Sequence, residues 1–209
     1  MKKNLLPVVL IAGLIVVGIF LYIQDSTKTD KVADKNIKIG IILGFTGPIE
    51  SLAPVMAKSA ELAIDEVNKS GELFDGSSQV TAIRADSTCV DAAAAQAAAE
   101  RLITSDKINA IMGADCSGVT TAVLKNVAMP NGVLMISPSA TSPALSTEPD
   151  NDLFFRTAPS DARQGEVIAD LLMEKGFKSA ALTHTNNDYG KGLAACLLYT
   201  SPSPRDLRK

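Results

Sequence analysis

Short apolar runs alternate with amphipathic stretches along most of this chain, and that alternation constrains the fold more than any other feature. The apolar runs are Ile37-Lys-Ile-Gly-Ile-Ile-Leu, Val80 to Ala85, Ala110 to Met112, Val133 to Ile136, Leu153-Phe-Phe-Arg-Thr and Ser179 to Thr183. Each has the length and side chains of a largely buried strand. Helical patterns separate them. Leu52 to Asn68 carries apolar residues at Leu52, Val55, Met56, Ala60, Ala63, Ile64 and Val67, with Ser51 placed as its cap and Lys69-Ser-Gly as its end. Asp91 caps an alanine-rich helix reaching Thr104, and Ser117 sits where a cap would open a helix to Met129. Asp161-Ala-Arg-Gln has the form of a capping box for a helix that stops at Gly176. Strict β–α alternation predicts an α/β fold, a parallel sheet with helices on both faces.

The N-terminus follows another logic. Lys2 and Lys3 precede an apolar run from Leu5 to Ile23. As a helix it would span about 28 Å, close to the ~30 Å hydrocarbon core of a bilayer. Residues 1–24 are therefore expected to be a membrane anchor or signal segment. No A-x-A site follows the run and no cysteine there can carry a lipid, which favours an anchor with its lysines on the cytoplasmic side. Polar residues 25–36 form a linker, and everything after them is expected outside the cytoplasm.

Several function classes lack support. The net charge is -3 and aromatics are 4%, with no basic stripe, so nucleic acid is not an expected partner. There is no CxxC, and His184 is the single histidine, so no metal site is expected. Gly40, Gly44 and Gly47 do not fit GxGxxG, and no cofactor is expected. No GxSxG elbow or Ser–His–acid set is present, which argues against an enzyme; a small α/β enzyme is the least favoured alternative.

Two of the apolar runs end in small hydroxyl residues, at Ser117 and at Ser139/Thr141. Ligands of open α/β sheets bind beyond the carboxyl ends of the strands. Neighbouring strand ends carrying these residues would make a small pocket of hydroxyls suited to an anion. The alternative is a helix cap and a turn. Cys89 and Cys116 also fall just past strand ends, on one edge of the sheet. A bridge worth about 3–4 kcal/mol and two free buried thiols both fit that placement.

The motifs Gly44-Phe-Thr-Gly-Pro, Cys89, Gly113-Ala-Asp-Cys-Ser, Leu134-Met-Ile-Ser-Pro-Ser-Ala-Thr-Ser-Pro, Phe155-Arg-Thr and Asp188-Tyr-Gly-Lys-Gly carry a resemblance. Together, over Ile37 to Ala195, they resemble the type I periplasmic binding proteins of the branched-chain amino-acid (Leu/Ile/Val) ABC-transport class. The resemblance implies two α/β lobes closing over a ligand, without catalysis. Residues 37–157 would be an incomplete first lobe and 158–195 the start of the second. It also implies the Cys89–Cys116 bridge. The function implied is the extracytoplasmic substrate-binding component of an ABC importer, with an amino acid as ligand and an inner-membrane permease as partner. A membrane-anchored sensing domain is the alternative.

Site residues carry over one at a time. Ser117 matches the serine that takes the ligand carboxylate. Ser139 matches a backbone position at the ligand ammonium. Thr141 matches the threonine whose hydroxyl meets the ammonium and whose N–H meets the carboxylate. Tyr189 matches a second-lobe tyrosine that closes over the ligand; its alternative is a surface turn residue. Asp161 sits where the family has an acid near the lobe junction; its alternative is a helix cap. Arg156 is expected to anchor the crossover by hydrogen bonding. Leu52 departs from the leucine-binding members, which have tyrosine there. Family members run well past this length, so the chain is expected to be an N-terminal fragment. Cys196-Leu-Leu-Tyr-Thr-Ser-Pro-Ser-Pro-Arg-Asp resembles translated sequencing-adapter readthrough. Residues 196–209 are accordingly expected to be a non-native tail that breaks the helix begun at Tyr189.

Overall fold

The computed structural model describes residues 36–72, 76 and 78–200. The Leu5–Ile23 segment lies outside the described residues, among which no helix is long and apolar enough to cross a membrane. Five strands form one sheet: β1 (Ile37–Leu43), β2 (Val80–Asp86), β3 (Ala110–Gly113), β4 (Leu134–Ser137) and β5 (Phe154–Arg156). All neighbours are parallel, in the order β2-β1-β3-β4-β5. The connecting helices are α1 (Ala53–Ser70), α2 (Ala92–Thr104) and α3 (Ser117–Val123), the last continuing as a π-helical turn over Leu124–Ala128. A 3-10 turn at Pro143–Ser146 precedes β5, and α4 (Asp161–Glu174) and α5 (Asp188–Thr200) follow it.

Alternation along β1 divides the core in two. Ile42 joins Ile111 and Met135 in a cluster with Ala95, Ala99 and Leu102 of α2 and Val119, Val123 and Val127 from α3 and its π turn. Ile41 and Leu43 pack instead with Ala53 and Ala57 of α1. The period-2 pattern thus puts helices on both faces, as the alternation predicts. Alanines on α2 let it approach the sheet closely. Gly40 permits the same approach, since a Cβ there would press to 2.9 Å from Leu102 Cδ1. Asp91 caps α2 as expected, its carboxylate accepting from the Ala93 N–H at 2.9 Å and the Ala94 N–H at 3.0 Å. Asp91→Ala is expected to lower stability by about 1 kcal/mol, read as a shifted urea midpoint with unchanged slope.

The other helix starts differ from the sequence reading. α1 begins at Ala53, with Leu52 at the cap position and no side-chain cap from Ser51. Cys116, not Ser117, is at the cap of α3, and Ser117 is its first residue. Ser160, not Asp161, caps α4, its hydroxyl accepting from the Ala162 N–H at 3.3 Å. In the last two cases the expected capping side chain is drawn inward to another partner.

Ser179 to Thr183 forms no strand, and these residues are exposed. A strand needs a neighbour for its N–H and C=O groups. Among the described residues no strand pairs with this one. The helical break expected at Cys196 is also absent. α5 runs through Thr200, the last described residue. Cys196 packs closely on α4: a Cβ on Gly165 would stand 2.7 Å from its Cβ.

Candidate functional site

β3 and β4 are neighbours, so Gly113 and Ser137 bring their loops out side by side. Gly113 has φ +134, and a Cβ there would run into the Ile42 carbonyl. Only glycine lets the chain leave β3 this sharply. The two loops are then stitched together by hydroxyls. Ser137 Oγ donates to the Ala114 carbonyl at 2.5 Å and accepts from the Ala140 N–H at 3.0 Å. Ser139 Oγ donates to the Asp115 carbonyl at 2.9 Å. Ser117 is buried, and its Oγ accepts from the Ser142 N–H at 3.2 Å.

Thr141 turns toward α4. Its hydroxyl donates to Asp161 Oδ2 at 2.9 Å, and its carbonyl accepts from the Asp161 N–H at 2.9 Å. Arg156, at the end of β5, holds the same loop by donating to the Ser142 carbonyl at 2.8 Å and the Ala140 carbonyl at 3.2 Å. That is the anchoring role expected of it. Asp161 is 1% exposed. Burial pushes its carboxyl above the usual carboxylate range, opposed by the Thr141 bond and the Arg156 charge. Its Oδ1 is buried with no hydrogen-bond partner among the described residues.

Sequence reasoning missed Asp115. It is 3% exposed and gathers donors from three strand ends. Its Oδ2 accepts from the Gly44 N–H at 2.6 Å, and its Oδ1 accepts from Ser87 Oγ at 3.2 Å and the Cys116 N–H at 3.0 Å. Burial raises its carboxyl above the usual range, with these bonds acting against it. The available signal was an acid set within the small residues that close an apolar run, a poor place for a solvated charge.

Beside Asp115 a disulfide joins Cys89 to Cys116, with Cα atoms 5.2 Å apart. It ties the loop after β2 to the start of α3, and the free-thiol alternative is out. Cys196 is unbridged.

The structure therefore brings Ser117, Ser139, Thr141 and Asp161 together at one edge of the sheet. Tyr189 lies on the first turn of α5, 43% exposed, and among the described residues no hydrogen bond joins it to the others. The start of α5 lies against Gly118 and against Ser142 and Pro143. A Cβ on Gly118 would stand 3.5 Å from Asp188 Oδ2, and one on Gly192 would stand 3.1 Å from Pro143 Cδ. His184 is exposed, with Nδ1 3.0 Å from the Thr185 carbonyl. No group of His, Cys, Asp and Glu among the described residues is arranged to hold a metal.

Comparison with known proteins fits this architecture. The family model described as periplasmic binding protein matches residues 36–198. Leu/Ile/Val-binding protein homolog 3 of Brucella melitensis is 34% identical over 160 residues, 76% of this chain and 42% of that protein. The Leu/Ile/Val-binding protein of Escherichia coli K12 is 30% identical over 161 residues, 77% of this chain and 42% of that one. Among solved structures, the branched-chain amino acid transporter substrate binding protein LivJ of Streptococcus pneumoniae, in complex with isoleucine, superposes with a TM-score of 0.72 at 32% identity. The match covers 81% of this chain and 47% of LivJ. The chain thus spans less than half the length of these relatives. A five-stranded parallel sheet covered on both faces, with hydroxyl-rich loops at its carboxyl edge and a family match over most of its length, places the assignment beyond the fold alone: the chain belongs to the periplasmic binding protein family.

Proposed function

We propose that this chain carries the first ligand-binding lobe, residues 37–157, and the start of the second, residues 158–195, of an extracytoplasmic substrate-binding component of an ABC importer. Its ligand is an amino acid, branched-chain or similar in shape. The observation that carries the reading is the convergence of Ser117, Ser139 and Thr141 on two adjacent loops at the carboxyl edge of the sheet. Ser117 meets the ligand carboxylate, the Ser139 backbone and the Thr141 hydroxyl meet the ammonium, the Thr141 N–H meets the carboxylate, and Tyr189 closes from the second lobe. The names of the Brucella, Escherichia and Streptococcus relatives support the ligand class. The partner is an ABC permease of the cytoplasmic membrane, to which the Leu5–Ile23 segment tethers the protein. No catalytic step is involved.

Closing two lobes over a ligand is what desolvates its charges. A chain with little of the second lobe is expected to bind weakly, so the test uses ligand-observed NMR, which reads millimolar affinities. With a panel of amino acids and neutral sugars, leucine, isoleucine or valine is expected to give saturation transfer, and sugars none. Transfer to a sugar and to no amino acid would sink the reading.

A further inference from the structure

We infer that the outer edge of β2 is a strand-pairing surface, that the partner it fits is a second copy of the same edge, and that Asn68 keeps it closed. The inference stands whatever the loops at the carboxyl edge of the sheet bind. Among the described residues β2 pairs with β1 alone, so its other side is an edge. The Gln79 carbonyl accepts from the Ile37 N–H at 2.9 Å, and the Ser87 N–H donates to the Leu43 carbonyl at 2.8 Å. Backbone groups alternate in direction along a strand. Thr81, Ile83 and Ala85 therefore turn theirs toward β1, and Val80, Ala82, Arg84 and Asp86 turn theirs outward. A row of outward N–H and C=O groups is a template for another strand. The β-branched Val80, Thr81 and Ile83 suit that pairing.

Asn68, in the last turn of α1, sits on this row. Its Nδ2 donates to the Val80 carbonyl at 2.9 Å, and its Oδ1 accepts from the Val80 N–H at 2.7 Å. One carboxamide thus supplies both the donor and the acceptor that a residue of a neighbouring strand would supply. The outward groups of Ala82 and Arg84 have no strand beside them among the described residues. The partner follows from symmetry. Two copies of β2 laid antiparallel over their whole length set Val80 opposite Asp86 and Ala82 opposite Arg84. The edge is then complementary to itself, with no like charges face to face. In this register the Val80 of each copy forms one end of the ribbon. One Asn68 per copy therefore blocks both ends and leaves only the Ala82 and Arg84 rungs between them, too short a ribbon to hold.

The test is hydrogen–deuterium exchange, read on peptides spanning Val80 to Asp86 of the full 209-residue chain in mild detergent, at a low and a high protein concentration. In the wild type the outward amides are expected to exchange at the same rate at both. In Asn68→Ala they should slow by at least about tenfold at the higher concentration, as the edges of two copies pair. Asn68→Leu keeps the bulk without the amide, and carries the test if the alanine variant does not fold. Adding Ala82→Pro removes an outward N–H and no bond to β1, and should abolish the slowing. Concentration-dependent slowing in the wild type overturns the blocking role of Asn68. Rates in Asn68→Ala that ignore concentration, whether fast or slow, overturn the inference and leave Asn68 as a tie between α1 and β2. Slowing that survives Ala82→Pro overturns the assignment to this edge.

Discussion

Replacing Cys89 and Cys116 together with alanine is expected to lower the unfolding free energy by about 3–4 kcal/mol. The bridge closes a loop with a sequence separation of 27 residues. On the chain-entropy account, removing a closure of that size frees the unfolded chain by about that amount. For a domain of this length the midpoint should fall by roughly 10 °C. The local consequence is larger than the global one. The bridge is the covalent link between the loop after β2 and the first turn of α3, where Ser117 stands. Calorimetry with and without reductant checks the stability, and alkylation of the non-reduced wild type should modify Cys196 alone. A midpoint unmoved by the double substitution would show that non-covalent contacts already hold these loops.

The second large effect belongs to Asp115. Asp115→Ala would leave the Gly44 N–H, the Ser87 hydroxyl and the Cys116 N–H without their acceptor. Each orphaned donor costs about 1–3 kcal/mol. A loss of about 3–5 kcal/mol at neutral pH is expected, less than the full sum because water and neighbouring carbonyls recover part of it. The pH dependence has a defined sign. The folded carboxyl titrates above the ordinary value of about 3.9, so in the window from there up to its raised value the native state holds more protons than the unfolded one. Stability contributed by this group therefore falls as pH rises through that window, and Asp161 acts in the same sense. Urea midpoints across mildly acidic pH should show a shallower fall in Asp115→Ala than in the wild type. Parallel slopes would mean that Asp115 titrates in the fold as it does in the unfolded chain.

The legible part of this protein was the part governed by local pattern. β1 matches the expected run residue for residue, because Gly40 to Leu43 are buried between neighbours on both sides and must be free of polar side chains. Asp91 was legible as a cap because its carboxylate bonds to the start of its own helix. Ser117 and Asp161 stand at helix starts as read, but neither caps its helix. A side chain at a helix start can bond back to its own backbone or reach across to another loop, and both choices look alike in sequence. Ser117 reaches Ser142 and Asp161 reaches Thr141, partners 25 and 20 residues away. Asp115 was missed for the same reason, since its partner Gly44 is 71 residues away. Ser179 to Thr183 has the composition of a strand, but pairing is decided by what stands next to it.

The sheet order has a kinetic consequence. β1 lies between β2 and β3, yet it is the first strand to be made. Lys38 and Asn109, which bond at the meeting of β1 and β3, are 71 residues apart. At about 5–20 residues per second, several seconds pass between the synthesis of one and the other. During that time one edge of the Ile-Ile-Leu segment has nothing to pair with, and the closure that ends the wait is long-range and slow. β1 thus cannot complete its pairing before β3 exists. For a polypeptide whose proposed destination lies across a membrane, β1 is left partly unpaired for as long as the stretch between Lys38 and Asn109 is still being made.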